Sequence, residues 1–495
     1  MMLKKIPHVK NIINTGKKVD EDFVYFVAFL YCISTGEIGP VELFKTGKDS
    51  KYGKYSAAFQ EVFRLGVGWS FGLASACEMI GKKVSENDDD PLKLLLIKLS
   101  QVIKLGDDLQ IFLRDELKNA TNTYSIKYNA NLESQKLFSE MFYTLMSTSA
   151  FMISANSIMS MLMGFGDAGQ IMIVSMMGIG AGMAVFVAMM FFMFPRDILA
   201  YTNDTVEKKF RKKIYLAVGA SIGLSSVLLI SGVMPAVLAV GLGGIPLLYP
   251  GMIAKRSESK ITGYLEWYPT FILHFGQLYA TVGAMGQALQ AVTRTNFGVL
   301  QSFIIPFKNR IKNRIDQVVA FELFSLETEN HIIANGNSII STSLNKGANM
   351  NLVGNIVSDI TKKINELRGK RAQNASTFQL VIFILHILSL SIFGLMNKLT
   401  EMFNGLADGD LSNAAFDLSP IDPALMNTLM PTLLIMTSVI SGFAIKIIEG
   451  GIYKTVLFHI GILIVIGGIA MFVINIFMGE FMDSIILSTP TVPET

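Results

Sequence analysis

Residues Ile214–Ala254 read IYLAVGASIGLSSVLLISGVMPAVLAVGLGGIPLLYPGMIA, 41 positions without one Asp, Glu, Lys or Arg. Roughly 20 apolar residues in a helix cross the hydrocarbon core of a bilayer, so this run is about twice the requirement. Gly232 and Pro235 stand near its middle, where they interrupt a helix. The stretch therefore predicts two membrane spans joined by a tight turn.

Working outward, five more stretches lack charge: Phe142–Gly166, Ala168–Pro195, Ala372–Asn397, Pro423–Ile445 and Thr455–Gly479. Together with the hairpin they predict seven spans. The composition agrees, because 51% of the 495 residues are hydrophobic and only 16% charged, against about 25% charged in soluble domains. A soluble enzyme is excluded. So is a secreted disulfide scaffold, since Cys32 and Cys77 are the only cysteines. Two other apolar runs are assigned differently. Phe23–Ile33 is too short to cross, follows Asp20, Glu21 and Asp22, and precedes no cleavage site, so it predicts a buried or interface-lying helix. Trp267–Thr293 is broken by His274, Gln277, Gln287 and Gln290 and is assigned to a soluble helical bundle.

Lysine and arginine then set the orientation. Nineteen precede Phe142, six lie in Arg196–Lys213, 14 lie in Lys255–Arg371, and Lys446 and Lys454 flank the loop before the last span. With a cytoplasmic N-terminus, 41 of the 42 basic residues fall on the inner side. Lys398 alone is outside, at a helix end where it reaches headgroups, and the outer segments carry nine acids. The chain accordingly divides into an N-terminal cytoplasmic region with a short apolar helix (1–54) and a first cytoplasmic helical domain (55–141). Two spans (142–195), a basic linker (196–213) and two further spans (214–254) follow. A second cytoplasmic helical domain (255–371) leads into a fifth span (372–397), an acidic external loop (398–422), two last spans (423–479) and an external tail (480–495).

Both cytoplasmic regions read as helical. Leu92–Leu117 and Val299–Phe324 place apolar residues three and four apart with charges between them, and Pro306 predicts a helix boundary in the second. SENDDDP before Leu92 supplies acids and a proline where a helix begins. The regions also look like two copies of one unit. Each opens with an aromatic helix (Tyr55, Tyr268), passes a small-residue stretch and a basic amphipathic helix, and reaches an acid (Glu116, Glu327). Each ends in a polar helix that runs into a span.

Motifs for chemistry are scarce. GKDSKYGKY at Gly47–Tyr55 misses the nucleotide-loop spacing and has Tyr55 where a magnesium-binding hydroxyl would stand, so it reads as a solvated turn. No histidine stands at metal-ligand spacing. His386 and His459 lie inside predicted spans, where helix-to-helix hydrogen bonding is the preferred reading, as it is for Asn156, Asn427 and Asn475. The span interiors hold no carboxylate or permanent cation, which disfavours an ion-coupled transporter. GIGAG at Gly178–Gly182 allows another helix to approach closely. The basic clusters Lys208, Lys209, Arg211, Lys212, Lys213 and Lys362, Lys363, Arg368, Lys370, Arg371 are first topology signals and second a docking patch for acidic groups on a cytoplasmic protein.

Taken in order, several segments resemble a known family: YGKYSAAFQEVFRLGVGW at Tyr52–Trp69, DPLKLLLIKLSQVIKLGDDLQIFLRDE at Asp90–Glu116, EWYPTFILHFGQLYATVGAMGQAL at Glu266–Leu289, FSLETENHIIANGNSI at Phe324–Ile339, and INELRGKRAQNASTFQ at Ile364–Gln379. The chain resembles the archaellum (archaeal flagellum) assembly membrane proteins, the archaeal version of the type II secretion F and type IV pilus platform proteins. An archaeal adhesion pilus remains open beside the archaellum. The resemblance implies a non-enzymatic platform, without cofactor or metal, carrying two cytoplasmic F-type helical domains. It implies a hexameric secretion ATPase and pilin-like subunits as partners, and places the family's cytoplasmic acids on Glu116 and Glu327 as bundle contacts. Glu327-Thr328-Glu329-Asn330 departs from the commoner Glu-Thr-Gly form.

The fold expected is thus all-α: a polytopic membrane protein of about seven transmembrane helices with two cytoplasmic helical bundles. It sits in the cell membrane with its N-terminus cytoplasmic and its C-terminus external. The function expected is mechanical coupling of an ATPase to filament assembly, as a homodimer and without nucleic acid. The alternative is a small-solute transporter or channel.

Overall fold

The computed structural model describes residues 20–163, 168–194, 204–407 and 423–488. Helix follows helix: α1 Glu21–Ser34, α2 Pro40–Lys48, α3 Lys54–Phe63, α4 Leu73–Val84, α5 Pro91–Leu105, α6 Leu109–Met163, α7 Ala168–Met193, α8 Asp204–Ser231 and α9 Ala236–Gly243. Then come α10 Ile245–Val282, α11 Met285–Val292, α12 Gln301–Lys312, α13 Gln317–Thr328, α14 His331–Asn345, α15 Met350–Ala407, α16 Pro423–Glu449 and α17 Val456–Ser488. Among the described residues there is no strand.

The described chain forms two compact units, a charged one of residues 20–131 and 259–369 and an apolar one of the remainder. Residues of both expected cytoplasmic domains, and of the N-terminal region, share the charged unit. Its center is α1, a helix apolar on every side and therefore buried, as its length suggested. Asp20 caps it by accepting from the Phe23 N–H and also binds the Tyr55 hydroxyl at 2.6 Å and the Lys54 ammonium at 2.5 Å. Phe26 meets Tyr55 and Phe59. On its other side Asp22 faces His331 at 3.4 Å and Glu21 holds Arg368 at 3.1 Å. Residues of both regions thus pack around one N-terminal helix.

Local signals place most boundaries. Asp90 caps α5, Pro91 is its first residue and Gly106 ends it at φ 74°. Asn330 caps α14 and donates its amide to the Ile261 carbonyl at 3.2 Å, tying α14 to α10. Pro306 does not end a helix, because α12 runs through it. The hydrogen bond it forfeits would reach the carbonyl of Ser302, an exposed residue that water can serve.

Six of the seven expected spans lie in helices that meet length and hydropathy requirements among the described residues: Gly169–Met193, Arg211–Ser231, Ala236–Val282, Met350–Met402, Ala424–Glu449 and Tyr453–Glu480. The 214–254 hairpin breaks as predicted, with Gly232 at φ 62° and Pro235 capping α9. The first expected span, Phe142–Gly166, falls on the second half of α6, where Thr144, Ser147, Thr148, Ser149, Ser154, Asn156, Ser157 and Ser160 dilute its hydropathy. Glycine lets helices cross closely: a Cβ on Gly468 would lie 2.6 Å from the Gly241 Cα. Gly180 of the GIGAG segment meets Met436 of α16, whereas Gly178 and Gly182 face open space. The residues 196–203, 408–422 and 489–495 of the expected linker, external loop and tail lie outside the described residues.

Candidate functional site

Four helices of the apolar unit bring a buried set of charges together where α16 ends. Lys446, 2% exposed, places its ammonium 3.3 Å from Glu258 on α10 and 3.1 Å from Glu449. Glu449 also meets His459 of α17 at 3.0 Å, and Glu258 accepts the Ile452 N–H at 3.3 Å. Arg371 of α15, 3% exposed, donates from Nε to the Ile448 carbonyl and from Nη2 to the Ile447 carbonyl, both at 2.9 Å. Those carbonyls belong to the last turn of α16, where intrahelical donors run out and a cation favours the helix dipole. Gly450 and Gly451 follow at φ 73° and 70°, a conformation glycine adopts freely. A Cβ on Gly450 would stand 2.7 Å from the Arg371 Cζ, and one on Gly451 would strike the Glu258 carboxylate. Turn and charges are therefore one structure.

One cation, Lys446, faces two carboxylates here, while Arg371 caps the helix end beside them, so each buried charge has a hydrogen-bonded partner. The arrangement can lock α10, α15, α16 and α17 together. Sequence reasoning missed it. Lys446 was assigned to the rim of a short loop and Arg371 to a surface cluster, while Glu258 received no role. The available signal was Gly450-Gly451 directly behind Lys446 and Glu449.

Glu116 and Glu327, the acids expected as bundle contacts, each pair with a basic residue of the preceding helix. Glu116 of α6, 8% exposed, accepts from Lys98 of α5 at 2.8 Å. Glu327 of α13 forms a two-pronged pair with Arg310 of α12, with Nη1 at 2.9 Å from Oε2. That bonding holds the Arg310 guanidinium above its usual range. In both regions a basic helix is thus tied to an acid of the helix that follows.

The ten basic residues expected to dock a partner separate. Arg211, Lys212 and Lys213 are exposed on α8, and the side chains of Lys208 and Lys209 lie outside the described ones. Lys362 and Lys370 are exposed on α15. Lys363 reaches Glu366 at 3.3 Å. Arg368 and Arg371, about one turn apart on α15, turn inward, to Glu21 and to the end of α16. Those two are internal contacts rather than surface ones. His386 is fully buried, with Nε2 3.2 Å from both the Leu463 carbonyl and the Ser438 hydroxyl, and Asn156 donates to Ser175 at 3.2 Å. Both bond helix to helix. Among the described residues no group of His, Cys, Asp and Glu could hold a metal ion.

Fold and site together define an all-α, multi-pass membrane protein. Over 483 residues, 94% of this chain and 85% of the relative, it is 22% identical to flagella accessory protein J of Methanocaldococcus jannaschii. It is also 22% identical to flagella accessory protein J of Methanococcus voltae, over 87% of this chain and 79% of that one. No family model and no solved structure matches. Over most of its length the chain is thus similar to two proteins named for the archaeal flagellum.

Proposed function

We propose that this protein is the membrane platform of an archaeal filament machine of the archaellum type, coupling a hexameric cytoplasmic ATPase to the insertion of pilin-like subunits. It would lie in the cell membrane with the charged unit and the N-terminus cytoplasmic and the C-terminus external, and would work as a homodimer rather than as an enzyme. One observation supports this reading above the others. Helix α15 runs unbroken from Met350 to Ala407, while the division between the units falls inside it, at residues 369 and 370. Arg368, just before that point, binds α1; Arg371, just after it, caps α16. A movement of the charged unit would then be passed along one continuous helix, with Arg371 and the Lys446 cluster as its grip among the spans.

Docking of the ATPase falls to the exposed cations, Arg211, Lys212, Lys213, Lys362 and Lys370. The test is charge reversal at Arg211, Lys212 and Lys213 together in the full-length protein, read by ATPase co-purification and by filament formation. Loss of both is expected, and unchanged values for both would reject the docking role.

A further inference from the structure

Between α3 and α4 the chain makes a turn that holds two large aromatics in solvent. Trp69 is 68% exposed, Phe71 55% and Val67 38%. The turn is tightly built. Residues Arg64–Gly68 form a π-helical turn, and the N–H groups of Trp69, Phe71 and Gly72 bond the carbonyls of Arg64, Leu65 and Gly66 at 3.0, 3.2 and 3.2 Å. Ser70 takes a φ of 55° and Gly72 one of 83°, and a Cβ on Gly66 would lie 2.9 Å from Leu73. Backbone strain at a non-glycine residue persists only where its surroundings enforce it. π-turns concentrate at functional positions. Here both serve to present apolar rings outward.

We propose that this turn is a lipid-surface anchor: Trp69, Phe71 and Val67 insert into the headgroup region of the bilayer that the spans occupy. Its chemistry suits that occupant. Residues 65–77 carry no charge, Arg64 lies over the Trp69 ring at 5.7 Å, and Lys82 and Lys83 follow on α4. Tryptophan favours the membrane interface, where its apolar body and N–H both find partners. Three side chains are too small a patch for a stable protein interface, which needs about 800 Å² on each partner. They are enough for lipid, because the spans already tether the chain, and tethering gives an effective concentration on the order of millimolar. The proposal goes beyond the filament reading and needs only that the chain is a membrane protein.

Trp69 and Trp267 are the only tryptophans, so Trp267→Phe leaves Trp69 as the sole indole reporter. The full-length variant is reconstituted into phosphatidylcholine vesicles with either ordinary or brominated acyl chains. Loss of most Trp69 emission in the brominated vesicles, with a blue shift relative to Phe71→Ser in the same background, is the expected result. Should Trp267→Phe fold poorly, the difference between the natural protein and Trp69→Phe gives the same reading. Emission that ignores bromine and stays open to aqueous iodide would overturn the proposal. So would emission shielded from iodide only on adding a soluble partner such as the ATPase, which would make the turn a protein contact instead.

Discussion

Lys446 shows what one buried charge does in this protein. Its ammonium lies between Glu258 and Glu449 and is 2% exposed. Lys446→Met keeps the volume but leaves two inward carboxylates without their cation, which costs about 3–5 kcal/mol where pairs are buried. The melting temperature in detergent should fall well below that of the natural protein. Adding Glu258→Gln should restore part of the loss, because the pair is coupled; additive losses would show that the two do not interact. A second residue-scale case lies on the surface of the charged unit. Glu78 binds Lys82 and Lys104 at 2.8 Å each, and these bonds lower its carboxyl to about 2. Since the folded value is the lower one, the contribution is complete above the ordinary carboxylate range and disappears as pH falls toward 2. Glu78→Gln should therefore lower the melting temperature slightly at neutral pH and converge with the natural protein as pH falls toward 2, flattening the acid side of the stability profile in thermal melts across pH. Such pairs were only partly legible in the sequence. Glu116 and Glu327 could be named from their order in two copies, but the partners Lys98 and Arg310 and the inward turn of Arg371 depend on which helix packs beside them. Linear charge patterns carry no such information.

At the scale of elements, the turn from α16 into α17 is the most constrained joint. Gly450→Ala would force an L-residue to φ 73° and push its Cβ to 2.7 Å from the buried Arg371 Cζ. The backbone alone costs about 1–2 kcal/mol, so a clear drop in melting temperature is expected. Gly182→Ala is the contrast, inside α7 with open space around its Cβ. It should be neutral or gain roughly 0.5–1 kcal/mol from helix propensity. Equal effects would mean that position 450 is an ordinary hinge. Helices were the most readable part of the sequence, since caps such as Asp90 and breakers such as Gly232 and Pro235 act within a few residues of themselves. Where a rule failed it was also local: Pro306 is tolerated because exposure of Ser302 lets water replace the missing bond.

For the whole molecule, packing bears on a count that hydropathy leaves at six among the described residues. Residues 20–131 and 259–369 build one unit, joined by the pairs Lys51 with Glu322, Glu42 with Lys346 and Glu21 with Arg368. They must then lie on the same side of the membrane. Between them run the spans beginning at Gly169, Arg211 and Ala236. Three crossings would put the two segments on opposite sides, so a fourth is required, and only the Phe142–Met163 half of α6 can supply it. The hydroxyl-rich sequence there remains compatible with a span because Ser and Thr bond back to their own helix, as Ser157 does to Ile153 at 2.9 Å and Thr148 to Thr144 at 2.7 Å. The seven-span expectation puts 41 of the 42 basic residues of the sequence on one side, the asymmetry expected of a cytoplasmic face. Thiol labelling can check this directly. Cys32 and Cys77 are both buried, and burial raises both thiols, Cys77 to about 12, so the background should be low. In intact cells a membrane-impermeant maleimide should label Glu401→Cys, whereas Lys312→Cys should react only after permeabilisation. Labelling of Lys312→Cys from outside would invert the topology, and with the charged unit facing outward no cytoplasmic ATPase could reach it.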